Sequence, residues 1–301
     1  MNRSLRALPV LAAACLLLTA CTAGSQSASG AGTSGQVQVL ASFYPLQYVT
    51  QKVGGDLVTV SSLTPPGAEP HDVELSPREV RSVGESDLVV YLSGFQSAVD
   101  AAIAAREPAH LVDAADTVHL VKGHVGQENG ALDPHFWLDP QRLASLAEPV
   151  AAALTAADPA HADSYAANAT ALTADLTALD AEFTTGLATC ERRVIVTSHQ
   201  AFGYLADRYD LTLVGMSGLD PEAEPSPARL REIGDVVRKQ GVTTIFSEQL
   251  VNPKVAQTLA SDLGITSAVL DPVESLTDPN SDYRGVMEKN LTVLRAALAC
   301  Q

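Results

Sequence analysis

From Val37 onward, short β-branched and aliphatic runs alternate with segments whose apolar positions recur every three or four residues. That is the pattern of parallel strands joined by helices that cover the sheet. In the first half it predicts strands over 37–42, 57–63, 88–92 and 110–114, with helices over 44–54, 76–86 and 95–106. The second half repeats the rhythm, with strands over 193–198, 211–216, 243–248 and 265–270 and helices over 202–209, 226–240, 253–263 and 283–299. Ser226-Pro227 and Asn252-Pro253 each put a capping residue just before a first-turn proline. Residues 141–189 are rich in Ala, Leu and Asp with no strand pattern, and Asp158-Pro159 divides them into two helices. The second, over 160–189, would be roughly 45 Å long at 1.5 Å per residue, enough to serve as a spine. The expected fold is therefore α/β: two lobes, each a mostly parallel four-stranded sheet flanked by helices, joined by one long rigid helix. The N-terminal lobe covers 37–150, the linking helical region 151–190 and the C-terminal lobe 191–301.

The chain start follows a different logic. Arg3 and Arg6 precede an apolar run from Leu8 to Leu18, too short to span a bilayer as a mature helix. Residues 1–20 thus read as a signal peptide. Leu18-Thr19-Ala20-Cys21 resembles the bacterial lipobox, which implies cleavage before Cys21 and lipidation of its thiol. Residues 21–36 would then form a lipid-anchored tether, because Gly, Ser, Ala and Thr cannot bury enough apolar surface to order themselves. Such a flexible segment spans about 20 Å, so the folded body would sit at the outer face of a cell membrane.

The formal net charge of −16 makes nucleic acid an unsuitable partner. Of four cysteines, Cys15 leaves with the signal and Cys21 carries lipid; Cys190 and Cys300 remain, an exported pair that suggests one disulfide.

Three histidines share a topological address. His71 follows the second strand in LTPPGAEPHD, His135 lies in LDPHFWLDP, and His199 ends the strand VIVTSH; Asp271 ends ITSAVLD in the same manner. Ligands of open α/β sheets bind at the carboxyl ends of strands. The four are 64, 64 and 72 residues apart, so they meet only if the lobes face each other across a cleft. Three imidazoles and one carboxylate make a four-coordinate site that suits zinc. His110, His119, His124 and His161 do not share that address. Glu248, at a strand end, is placed to hydrogen-bond a ligand imidazole, while Asp133 and Asp139 read as turn-forming or capping residues.

AEPHDVELSP (68–77), DPHFWLDP (133–140), VTSHQAFGYLADRYDL (196–211), GLDPEAEPSPARL (218–230) and FSEQLVNPKVAQTLASDLG (246–264) together resemble the signature segments of the zinc- and manganese-binding class of ABC-transporter solute-binding proteins. The resemblance covers essentially the whole chain after the tether. It implies His71, His135, His199 and Asp271 as metal ligands, a rigid linking helix, and partnership with an ABC permease and its ATPase. Some relatives use a glutamate adjoining the first histidine as fourth ligand, which makes Glu69 the alternative here, although Pro70 intervenes. Zinc-preferring members often carry a long histidine- and acid-rich loop before the second ligand; only His119, His124 and Glu128 stand there in this chain. Manganese-preferring members tend to place a carboxylate where His199 stands, so zinc is the expected cargo and manganese the alternative.

A zinc hydrolase is the competing chemical reading, but no HExxH helix is present, and the chain is expected not to be an enzyme. A surface adhesin is the other alternative within such families. The expected state is a monomer.

Overall fold

The computed structural model describes residues 35–123 and 131–301. The signal peptide, Cys21, His124, Glu128 and all but the last two residues of the expected tether lie outside them. Gln36, the last residue of the expected tether, belongs to the body: its side-chain amide donates to the Asp56 carbonyl at 2.8 Å and accepts from the Thr59 hydroxyl at 2.8 Å.

The first half builds β1 (Val37–Ala41), α1 (Tyr44–Gly54), β2 (Val58–Ser62), α2 (Pro77–Glu85), β3 (Leu88–Tyr91), α3 (Ser97–Arg106), β4 (Leu111–Asp113) and a short α4 (Ala115–Val118). Its sheet is wholly parallel in the order β2-β1-β3-β4. The second half builds β5 (Val194–Thr197), α8 (Gly203–Arg208), β6 (Thr212–Gly215), α9 (Pro227–Gln240), β7 (Thr244–Ser247), α10 (Lys254–Leu263), β8 (Thr266–Val269) and α11 (Tyr283–Leu298). Its sheet repeats the topology as β6-β5-β7-β8, again parallel throughout. In both sheets the chain reverses its winding direction between the two central strands, which places a switch point at the carboxyl ends of β1/β3 and of β5/β7.

Local chemistry sets the helix starts. Ser76 and Glu79 form a reciprocal capping box at α2, with Pro77 in the first turn. Ser226 accepts from the Arg229 amide at the start of α9, and Asp282 accepts from Gly285 at the start of α11. At α10 the helix begins one residue past Pro253, and the Asn252 side chain accepts from the Lys254 amide at 3.1 Å.

The helical stretch between the sheets has three pieces where the sequence pattern suggested two: α5 (Pro140–Ala144), α6 (Ala147–Ala157) and α7 (Ala162–Gly186). The extra break has a cause in Pro149. Its ring nitrogen cannot donate to the Ser145 carbonyl four residues back and its ring crowds that carbonyl, so the helix restarts at Ala147. The long helix α7 has 25 residues, about 37 Å, and buries one stripe of Tyr165, Ala169, Leu172, Leu176, Leu179 and Phe183. It packs on α1 from the first half, on α5 and α6 of its own stretch, and on α11 from the second half. Arg208 clamps Asp180 on α7 through two bonds of 2.8 and 2.7 Å, and Arg284 reaches Asp175 and Glu182. One apolar core runs through both halves, from Leu46 and Phe43 through Trp137 and Phe183 to Phe246 and Tyr283.

Cys190 and Cys300 are joined in a disulfide, across an isolated antiparallel bridge that also brings the Gln301 amide to the Thr189 carbonyl. Among the described residues, no helix is long and apolar enough to cross a membrane.

Candidate metal centre

His199 follows the end of β5 by two residues, where the Thr197 hydroxyl donates to the His199 carbonyl at 2.6 Å and turns the chain sharply. Glu248 follows the neighbouring strand β7 directly, so both lie at the switch point of the second sheet. Their contact is short: Glu248 Oε2 is 2.5 Å from His199 Nδ1, and its Oε1 accepts from the His199 backbone amide at 3.1 Å. His135 comes from the segment before α5. There Asp133 Oδ1 accepts from the His135 amide at 2.9 Å and meets His135 Nδ1 at 2.7 Å. This segment is held by the second half, with the Tyr204 hydroxyl donating to the Asp133 carbonyl at 2.8 Å and Tyr283 to the Trp137 carbonyl at 2.5 Å. His71 sits in the irregular loop after β2, its ring edge-on to Phe95 with centroids 4.8 Å apart.

With Nδ1 of His135 and His199 each facing a carboxylate, the Nε2 atoms are free to point inward. They do: His135 Nε2 is 3.3 Å from both His71 Nε2 and His199 Nε2. The fourth donor is Glu274. Its Oε1 lies 3.1, 3.5 and 3.6 Å from the Nε2 atoms of His135, His71 and His199, and all four donor atoms fall within 4.8 Å of one another. Among the described residues this is the one such group. His135, His199 and Glu274 are essentially fully buried, while the His71 side chain keeps 14% exposure.

Asp271, expected at this place, is not among the converging donors. Its Oδ1 accepts from the Val273 amide at 2.8 Å, closing a turn that carries the chain from the strand end to Glu274. Burial, joined by the negative charges of Glu274 and Glu248, pushes its carboxyl up to about 6. Glu69 also stays outside: its Oε1 accepts from the His71 amide at 3.0 Å and lies 4.0 Å from His71 Nε2. Asp139 caps α5 by accepting from the Gln141 amide. His119 is exposed at the end of α4, and His161 pairs with Asp158 at 2.5 Å. His110 is half-buried and outside the cluster.

Electrostatics suit a cation. Burial alone would raise the Glu274 carboxyl, but the surrounding imidazoles of His135, His199 and His71 hold it well below the usual carboxylate range. Burial disfavours a charged His199 ring, yet Glu248 and Glu274 outweigh it and push its pKa up to about 10. Glu274 Oε1 is buried and closes no hydrogen bond of good geometry with the nitrogens around it. A divalent ion at the centre would satisfy that oxygen and three imidazole nitrogens together, the donor set that tetrahedral zinc accepts.

Comparison with known proteins points the same way. Residues 39–297 match the family described as zinc-uptake complex component A, periplasmic. The zinc-binding protein AdcA of Streptococcus pyogenes serotype M3 is 33% identical over 87% of this chain, and the match spans 56% of that relative, so the chain covers little more than half the length of the first curated relatives. The high-affinity zinc uptake system protein ZnuA of Bacillus subtilis is 31% identical over 96% of both chains. The solved Zn(II)-bound ZnuA-like domain of Streptococcus pneumoniae AdcA superposes with a TM-score of 0.75, 33% identity, and coverage of 88% of this chain and 99% of that one. By sequence match along nearly its whole folded length and by fold, the chain belongs to the periplasmic zinc-uptake component A family.

Proposed function

We propose that this chain is the extracytoplasmic solute-binding component of an ABC importer, which captures one Zn2+ through His71, His135, His199 and Glu274 and hands it to a membrane permease driven by its ATPase. The convergence of three Nε2 atoms and one carboxylate oxygen within 4.8 Å supports this reading most directly. Four protein donors complete a tetrahedral shell and leave no position for a reacting water, which favours carriage of the ion over catalysis. Three imidazoles favour zinc over manganese, both by donor type and by the intrinsic order of affinities. The relatives' names, which specify zinc binding and zinc uptake, support the same cargo. A lipidated Cys21 followed by a tether would keep the body beside the permease as a monomer on the outer face of the membrane.

The full chain, purified and analysed for metal content, then stripped with chelator and offered equimolar zinc and manganese, tests the assignment. One zinc per chain that manganese does not displace is the expected result. Manganese retained against equal zinc would reassign the cargo, and no stoichiometric metal would overturn the carrier reading.

A further inference from the structure

The turn that delivers Glu274 is unusual in its backbone and in how many segments hold it. Val273 adopts φ +59°, a left-handed conformation that a β-branched residue takes only under constraint. Its side chain is 1% exposed, so the strain sits inside the protein. Five hydrogen bonds impose the turn. Asp271 Oδ1 accepts from the Val273 amide at 2.8 Å. Asn290, on α11 and 2% exposed, accepts from the Asp271 amide at 2.9 Å and donates to the Asp271 carbonyl at 2.7 Å. Trp137, two residues past His135, donates from Nε1 to the Pro272 carbonyl at 2.7 Å. The Gly67 amide, in the loop that carries His71, donates to the Ser275 hydroxyl at 2.7 Å.

We infer that Asp271 is a positioning residue: together with Asn290 it holds the strained turn that presents Glu274 to the metal, and it is not itself a ligand. The inference rests on the metal-site reading and deepens it. Its chemistry separates the two roles of a carboxylate. As a turn acceptor, Asp271 needs only one oxygen facing the Val273 amide, which an asparagine supplies equally well. As a zinc ligand it would need its anionic oxygen, which an asparagine lacks.

Zinc affinity of the full chain, measured by competition with a chelator for the parent and for Asp271→Asn, Asp271→Ala, Asn290→Ala and Glu274→Ala, decides between them. Asp271→Asn is expected to bind within about two-fold of the parent, while Asp271→Ala and Asn290→Ala fall by about 10- to 100-fold, the range typical of residues that orient a ligand. Visible absorption of the cobalt(II)-loaded proteins reads the coordination shell: it should match between the parent and Asp271→Asn, and change in Asp271→Ala. Thermal unfolding of the metal-free variants separates loss of the turn from loss of the fold. If Asp271→Asn fails together with Glu274→Ala, Asp271 is a ligand and the inference is overturned. If Asp271→Ala binds as the parent does, the turn needs no such support and the inference is again overturned. Parent-like binding by Glu274→Ala would instead refute Glu274 as a donor, an outcome distinct from either.

Discussion

In the second half His199 leaves the sheet within two residues of β5, and Glu248 from the adjacent strand end holds its ring. In the first half His71 lies nine residues past β2, in a loop without regular structure, and its ring is braced by the edge-on contact with Phe95. The two sheets have the same strand order and are both parallel throughout, so the difference is not in the topology of the scaffold. It lies in where each half places a carboxylate. The second half uses its switch point to set the protonation and orientation of one imidazole, and the segment around Asp133 does the same for His135. His71 receives no comparable partner at Nδ1 among the contacts of the described residues, and it alone of the four keeps measurable exposure. A rigid, charge-braced wall of the site thus faces a more lightly held one.

The largest effects should come from removing a donor on the braced side. His199→Ala and Glu274→Ala each delete one of four ligands and leave a buried partner behind, Glu248 in the first case and three imidazoles in the second. Zinc binding should weaken by orders of magnitude in both, measured by chelator competition, and retention of parent-like affinity by either would break the proposed ligand set.

Next comes proton linkage, which also separates the two walls. In the metal-free protein His199 holds a proton up to about pH 10, because Glu248 and Glu274 favour the charged ring over the penalty of burial. Burial instead lowers the pKa of His71, despite the nearby Glu274. Zinc needs the unprotonated Nε2 of all three rings, so binding at neutral pH must displace protons from His199 and from His135, whose pKa Asp133 and Glu274 raise against burial, and little from His71. Affinity should therefore rise with pH by about tenfold per unit for each proton released, from neutrality until His199 deprotonates on its own. Calorimetry in buffers of different ionisation enthalpy counts the protons, and no release at pH 7 would contradict the bracing of His199.

Smaller losses should follow from removing the braces. Glu248→Ala and Asp133→Ala free the rings of His199 and His135 to rotate, at about 10- to 100-fold in zinc affinity. Glu248→Gln and Asp133→Asn keep an acceptor at Nδ1 and should recover part of it. Phe95→Ala takes from His71 an edge-to-face contact of about 0.5–1.5 kcal/mol, and also ends the packing of Phe95 on Phe43 and Trp137, so the loss on the His71 side should be about 2- to 10-fold in a variant whose metal-free fold is intact. A larger effect from Phe95 than from Glu248 would invert the comparison between the walls.

The same distinction explains what could be read from the sequence. The two parallel sheets and the three histidines were legible because apolar runs and strand-end positions are local signals; the order of the strands within each sheet was not read. Nor was Glu274. It stands five residues beyond the end of β8, past a turn whose left-handed residue is a valine, where no glycine or asparagine announces the conformation. The available signal was Asp271-Pro272, a turn-initiating pair that spends the first carboxylate on the backbone and leaves the next one for the site. Asp133 plays a double part for a similar reason, capping its own turn and facing the His135 ring with the same oxygen. The break between α5 and α6 was signalled by Pro149, but the Ala- and Leu-rich pattern on both sides of it reads as one continuous helix.

The smallest effect on the site should come from the disulfide. Cys190 precedes β5 and Cys300 follows α11, so the bond lies at the amino ends of the second sheet, away from the carboxyl ends that carry His199 and Glu248. Closing a loop across a separation of 110 residues stabilises the fold, by about 4–5 kcal/mol in the chain-entropy model, through restriction of the unfolded chain. That contribution acts on the unfolded state and not on the geometry of the site. The neighbouring backbone bonds, from Gln301 to Thr189 and from Arg192 to Leu298, keep the two ends together without sulfur. Helix α11 has further anchors in the Tyr283 bond to Trp137 and in Arg284 on α7, so Asn290 stays in place to hold the Glu274 turn. Cys190→Ser with Cys300→Ser should accordingly lower the unfolding midpoint in denaturant while leaving zinc affinity within about two-fold of the parent, since contacts far from a site couple to it weakly. A loss of affinity as large as that of Glu248→Ala would mean that α11, and with it Glu274, depends on the covalent staple.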